Sequence, residues 1–263
     1  MIAPPVFWGH TYDWFLIMYY VGISAFIACM FFYIRIHPVF KVSLSFIGYG
    51  AIFYGIHSLT RPFWILLDNH FNGSFTLYDH SFTEAWHHVD SSDRWYFCVL
   101  FLVIFLCVLA CKKDKESTNL LYGADIILIS ICLTMPIARI GCFLSGHGCY
   151  GIPTDMPWGC TFCYGLPSHV PVHPIPLYDM ALNICVFIFL NIKRWYLRYP
   201  GRSALTVLTA ASIHNIITGP LRGMPPIVFA GITMTQILYS IVLIFCVILY
   251  LRLQRRENLI KPA

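Results

Sequence analysis

Charge is what this chain has least of. Only 11% of its 263 residues are Asp, Glu, Lys or Arg, against 58% hydrophobic, and the mean hydropathy is +0.69. Soluble domains carry about 25% charged residues, so the shortage excludes a soluble enzyme and leaves an integral membrane protein. The N-terminus lacks the basic region and small-residue cleavage site of a removable signal peptide, and the first apolar run is expected to stay as an anchor. Low-complexity tracts, internal repeats and a soluble domain are missing too. We therefore expect one membrane domain over residues 1–263, with outer loops at 68–94 and 145–176. A second C-x-x-C is also absent: Cys160-Thr161-Phe162-Cys163 stands alone, too weak a signal for a metal site. No metal and no cofactor are expected.

What the sequence has instead is apolar length. A helix crossing a bilayer needs about 20 residues, and such stretches fall at 12–36, 43–67, 95–111, 120–144, 177–192, 203–221 and 230–251. The expected fold is an all-α integral membrane protein with seven transmembrane helices and a site loop on the outer face. The third span is short, and Arg61-Pro62 predicts a kink or early end of the second near Leu59. With the N-terminus outside and the C-terminus cytoplasmic, 13 of the 17 basic residues lie on the inner side, and 145–176 contains none. The net charge of +5 thus reports topology, and nucleic-acid binding is not needed to explain it.

The unusual chemistry is gathered between Arg139 and Asp179. Arg139 lies roughly 7 Å inside the fourth span, where a guanidinium is costly unless it is paired or faces a wet cavity. One reading is an arginine snorkelling to headgroups. The other is an anion clamp, because a planar fork matches a phosphate and the nearby Gly141, Gly146, Gly148 and Gly151 let backbone N–H groups crowd an oxygen. Arg139 with Gly141, Gly151 and Arg222 are the candidate lipid-phosphate ligands. His147, His169, His173 and His214 are candidate proton acceptors for a thiol or alcohol, or simply polar tips in the headgroup layer. His173 ranks first because it opens the Pro-rich approach to span five, and His147 second. Most of the eleven cysteines sit in spans and read as small buried hydrophobes. Cys142, Cys149, Cys160 and Cys163 lie at or in the site loop, where a disulfide, a metal or packing alone are all open.

Four segments together resemble the signature of the prolipoprotein diacylglyceryl transferases: Arg139-Ile-Gly-Cys142-Phe143, Gly146-x-x-Cys149-Tyr150-Gly151, Pro157-Trp158-Gly159 and His173-Pro-x-x-Leu177-Tyr178-Asp179. Looser similarity reaches Trp14 to Tyr19 and Ile232 to Leu238. The chain departs from the family pattern at Phe15, at Tyr54 to Leu59, around Ser91 to Phe97, and at Asn215 to Arg222, where only the last arginine is kept. The resemblance implies a bacterial plasma-membrane enzyme whose partners are phosphatidylglycerol and a lipoprotein precursor with a lipobox cysteine. It implies transfer of the diacylglyceryl group to that thiol with release of glycerol 1-phosphate. Under it, His173, His147 and Tyr178 are the catalytic candidates, and Cys142, Cys149, Tyr150, Asp179 and Gln236 position substrate. Two other classes stay open: a membrane thiol–disulfide oxidoreductase built on the loop cysteines, and a non-catalytic lipid-binding or transport protein on the same scaffold.

Overall fold

The computed structural model describes residues 6–7, 10–11, 14–36, 102–112, 114–145, 150–161, 170–222, 227–229 and 232–260. Residues Met1–Phe40 and Tyr96–Ala263 form one unit and Lys41–Trp95 another; the description below concerns the first. The expected second span, the 68–94 loop, His147, Cys149, Cys163 and His169 fall outside the described residues.

Helices dominate: α1 (Trp14–Ile36), α2 (Leu102–Cys111), α3 (Lys115–Ser145), α4 (Ile175–Lys193), α5 (Arg202–Thr218) and α6 (Met234–Ile260). Among the described residues four segments are long and apolar enough to cross a membrane: Lys115–Leu144, Ile175–Lys193, Arg202–Leu221 and Thr235–Arg255. Apolar side chains face outward as well as inward; Phe31, Ile192, Ile217 and Ile244 are each more than 60% exposed. Such surfaces are costly in water and at home in lipid. The third span is described only from Leu102; α3 runs past both ends of the apolar stretch that announced it, and α6 past the C-terminal end of its own.

The expectation of purely helical structure needs one correction. Three short antiparallel hairpins are present: β1 (Val6–Phe7) with β2 (His10–Thr11), β3 (Cys160–Thr161) with β4 (Pro171–Val172), and β5 (Ile227–Phe229) with β6 (Ile232–Thr233). Pairing of this kind satisfies backbone groups where the chain leaves its helices.

The long helix α3 is the hub and packs on α1, α4 and α5, while α6 packs on α5. Leu121, Ile126, Ile129 and Cys132 of α3 meet Tyr33, Leu190, Leu208, Val242 and Leu249 in one buried core. Polar pins fix the packing. The Tyr33 hydroxyl donates to Asn191 Oδ1 at 2.6 Å, joining α1 to α4, as interhelical hydrogen bonds do where no water competes. Toward the other chain ends, Asp125 is fully buried and accepts from the backbone N–H groups of Gly201 (2.8 Å) and Ala204 (2.6 Å). An α3 side chain thereby supplies the cap for the start of α5, whose own preceding residue, Gly201 at φ +84°, has no side chain to offer. A Cβ on Gly201 would press within 3.2–3.3 Å of Leu121 and Leu253 as well as strain the backbone.

Because α3 and α5 run one way and α4 and α6 the other, the C-terminal turns of the first pair meet the N-terminal turns of the second. That meeting point carries the residues singled out above.

Candidate functional site

The run His173-Pro174-Ile175-Pro176 dictates how α4 begins. Proline is tolerated in a first turn because N–H groups there have no helical partner, and Pro174 and Pro176 stand at the cap and second positions. The helix that follows carries Asp179 in its second turn, buried.

Three other elements converge on that carboxylate. Arg139, near the end of α3, reaches Asp179 Oδ2 with Nη2 at 2.9 Å. His214, in the last turns of α5, brings Nε2 to within 2.8 Å of Oδ1. Arg222 follows the 3-10 turn Gly219–Leu221 and lies 3.6 Å from the same Oδ1, while its Nη2 donates to Asn215 Oδ1 at 3.2 Å. Two fixed cations thus share one carboxylate. Among the described residues, two guanidiniums and an imidazole gather on this one carboxylate at the ends of apolar helices, a concentration of cationic groups suited to an anion. The guanidiniums keep 23% and 21% exposure against 8% for Asp179, so a ligand can reach them.

A second chain of polar contacts adjoins the first through the neighbouring residue. The Trp158 indole N–H donates to the Tyr178 hydroxyl at 2.8 Å, and Tyr178 is 3.1 Å from His173 Nδ1. An indole can only donate, so Tyr178 keeps a lone pair and its own proton to share with the imidazole.

The site loop is stitched to these elements by its backbone. Gly151 N–H donates to the His173 carbonyl (2.7 Å), Ile152 N–H to the Leu221 carbonyl (2.8 Å) and His173 N–H back to the Ile152 carbonyl (3.1 Å). A Cβ on Gly151 would overlap the Leu221 carbonyl oxygen and sit 2.6 Å from His173 Cβ. Here the structure corrects an expectation. The Gly151 N–H, a candidate phosphate donor, is spent on His173, and the glycine serves to bring three backbones together.

Other candidates take quieter places. Gln236 was expected to position substrate. Its Oε1 instead accepts from the Thr233 N–H (3.0 Å) while its own N–H donates to Thr233 Oγ1 (3.2 Å), the reciprocal capping box of Thr-x-x-Gln; its Nε2 donates to the Ile216 carbonyl at 3.4 Å. Cys142 is buried one turn beyond Arg139, whose Nη1 lies 3.9 Å from its sulfur. Gly141 is buried on the same turn. Tyr150 packs with Val172, Phe143 and Cys160 beneath the loop. Cys160 is a free thiol that donates to the Trp158 carbonyl at 3.7 Å. Among the described residues no three His, Cys, Asp or Glu side chains gather as a metal cage.

Sequence reasoning named Arg139, Asp179, Tyr178 and His173 but did not see the first two as partners. It weighed His214 only as a base, named Trp158 within a motif without giving it a role, and passed over Asp125. A His-Asn pair inside an Ile-rich span is itself a signal, since polar groups at membrane depth seek partners.

Fold and site define a multi-span membrane protein with a buried, cation-rich site where its helix ends converge. The sequence model described as prolipoprotein diacylglyceryl transferase matches residues 7–252. The chain is 33% identical over 122 residues to the phosphatidylglycerol–prolipoprotein diacylglyceryl transferase of Clostridium tetani (strain Massachusetts / E88), covering 44% of this chain and 47% of that protein. Against the protein of the same name from Clostridioides difficile (strain 630), identity is 28% over 143 residues, covering 54% and 55%. Against that from Nitrosomonas europaea it is 29% over 173 residues, covering 65% and 58%. The chain belongs to the prolipoprotein diacylglyceryl transferase family, a family of bacterial inner-membrane proteins. It spans about half the length of the relatives it matches.

Proposed function

We propose that this protein transfers the diacylglyceryl group of phosphatidylglycerol to the lipobox cysteine thiol of exported lipoprotein precursors, at the outer face of the bacterial plasma membrane. The observation that carries the proposal is the convergence of Arg139, Arg222 and His214 on Asp179, with His173 and Tyr178 in contact beside it. In the reaction the substrate's sulfur forms a bond to the glyceryl carbon as the carbon–oxygen bond to phosphate breaks. The electron pair leaves on the phosphate of glycerol 1-phosphate, and the thiol proton passes to a base. The guanidiniums face the group on which charge develops, where fixed donors act most strongly in a water-poor site.

His173 is the proposed base. With its Nδ1–H turned to the Tyr178 oxygen, Nε2 carries the lone pair for the thiol proton, and the Trp158 contact holds Tyr178 in place. In this reading His147 is a secondary proton acceptor, Cys142, Cys149 and Tyr150 shape the approach of substrate, and no cysteine of this chain is the nucleophile. The scaffold has seven spans with the N-terminus outside, the C-terminus cytoplasmic and 145–176 on the outer face; the basic-residue asymmetry supports that orientation.

The test is direct. Purified protein incubated with labelled phosphatidylglycerol and a lipobox peptide should give a thioether-linked product and glycerol 1-phosphate. Absence of both from folded protein would rule the proposal out. Labelling Cys160 from each side of the membrane checks the orientation: reaction from the cytoplasmic side alone reverses it.

A further inference from the structure

The three side chains around Asp179 are not equivalent. Arg139 is tight against Oδ2 at 2.9 Å, whereas Arg222 stands 3.6 Å from Oδ1. What occupies Oδ1 is His214, at 2.8 Å. Arg222 is steered instead to Asn215, whose Oδ1 accepts from its Nη2 at 3.2 Å. A carboxylate facing two guanidiniums would ordinarily draw both into short contact. Here the imidazole holds the oxygen that the second one would take.

We infer that His214 is a positioning residue. By donating to Asp179 Oδ1 it keeps Asp179 committed to Arg139 and leaves Arg222 as the cation available to a phosphate. The inference rests on the anion-site reading above. It assigns the two arginines different duties: Arg139 neutralises Asp179 and locks α3 to α4, and Arg222 meets the ligand. His214 touches no substrate and acts through its neighbours. Its helix places it correctly because His214 and Asn215 are successive residues of α5, one turned to Asp179 and the other holding Arg222. The Thr218 hydroxyl, which donates to the His214 carbonyl at 2.9 Å, ties down the turn.

Titrate glycerol 1-phosphate into the detergent-solubilised full chain and follow heat of binding, with unfolding temperature as a control for each variant. Wild type should bind. His214→Ala frees Oδ1, Arg222 closes on Asp179, and affinity should fall roughly tenfold or more, the worth of a hydrogen bond to a charged group. His214→Gln, whose amide nitrogen reaches where Nε2 lies, should recover binding to within about threefold, and His214→Asn, which is too short, should not. In an Arg222→Gln background His214→Ala should change little, because its effect runs through Arg222. Unchanged affinity in folded His214→Ala, or additive losses in the double variant, overturns the positioning role and leaves the anion site standing. No binding by wild type overturns the anion site, and the positioning role with it.

Discussion

Two aspartates are buried in this bundle, about 21 Å apart along α3 by the rise from residue 125 to residue 139, and they are held in opposite ways. Asp125 takes backbone N–H groups of Gly201 and Ala204. Its partners are neutral, belong to a helix start, and are used up by it. Asp179 takes Arg139, Arg222 and His214. Its described partners are two guanidiniums and an imidazole, side chains from three different elements. Burial alone therefore does not mark a site in a membrane bundle. What differs is the kind of partner: the Asp125 end is a helix cap made of backbone N–H groups, while the Asp179 end gathers cationic side chains, the arrangement on which the proposed anion site rests.

The sharpest way to break this comparison is Asp179→Ala. Two guanidiniums would be left in apolar surroundings, and removing one partner of a buried ion pair costs about 3–5 kcal/mol. Thermal unfolding in detergent should show that loss together with lost transfer; a variant as stable as wild type would mean that water already screens the cluster. Next comes His173→Gln, expected to lower turnover at least about a hundredfold and to flatten the acidic side of the pH–rate profile. A smaller loss with the acidic side intact would make His173 an orienting residue.

Asp125→Ala tests the other end. It strands the N–H groups of Gly201 and Ala204, at about 2 kcal/mol, yet activity per folded molecule should stay near wild type. A large drop in turnover would erase the distinction between the two ends. Arg139→Lys is expected to cost about tenfold in activity with insertion intact, since the ammonium keeps charge but loses the fork. The smallest effect belongs to Gln236→Ala, about 1 kcal/mol of stability for half a capping box. If that variant instead raises KM for phosphatidylglycerol, Gln236 positions substrate after all.

Much of the architecture was legible. Arg202–Leu221 begins and ends within a residue of the apolar stretch that announces it, and Ile175–Lys193 within two, because a bilayer sets helix length by hydrocarbon thickness and marks it with uncharged sequence. The hairpins were not legible. Strands of two or three residues such as Cys160–Thr161 carry no alternating pattern to read, and β3 finds its partner ten residues on through backbone hydrogen bonds that any sequence could make. The Thr233-x-x-Gln236 spacing carries the cap that the structure shows at the start of α6.

Composition and spacing alone determined that this chain is a membrane protein, where most of its helices lie, and that residues 139–179 hold its polar chemistry. Those properties follow from the solvent, since lipid penalises charge and rewards apolar length wherever they occur along the chain. Only the tertiary structure decided that Arg139 pairs with Asp179 forty residues later, that His214 divides that carboxylate from Arg222, and that Gly151 is a junction. A hydrogen bond depends on distances of a few tenths of an ångström between atoms on different helices, and nothing in the linear order of residues encodes which helix ends will meet.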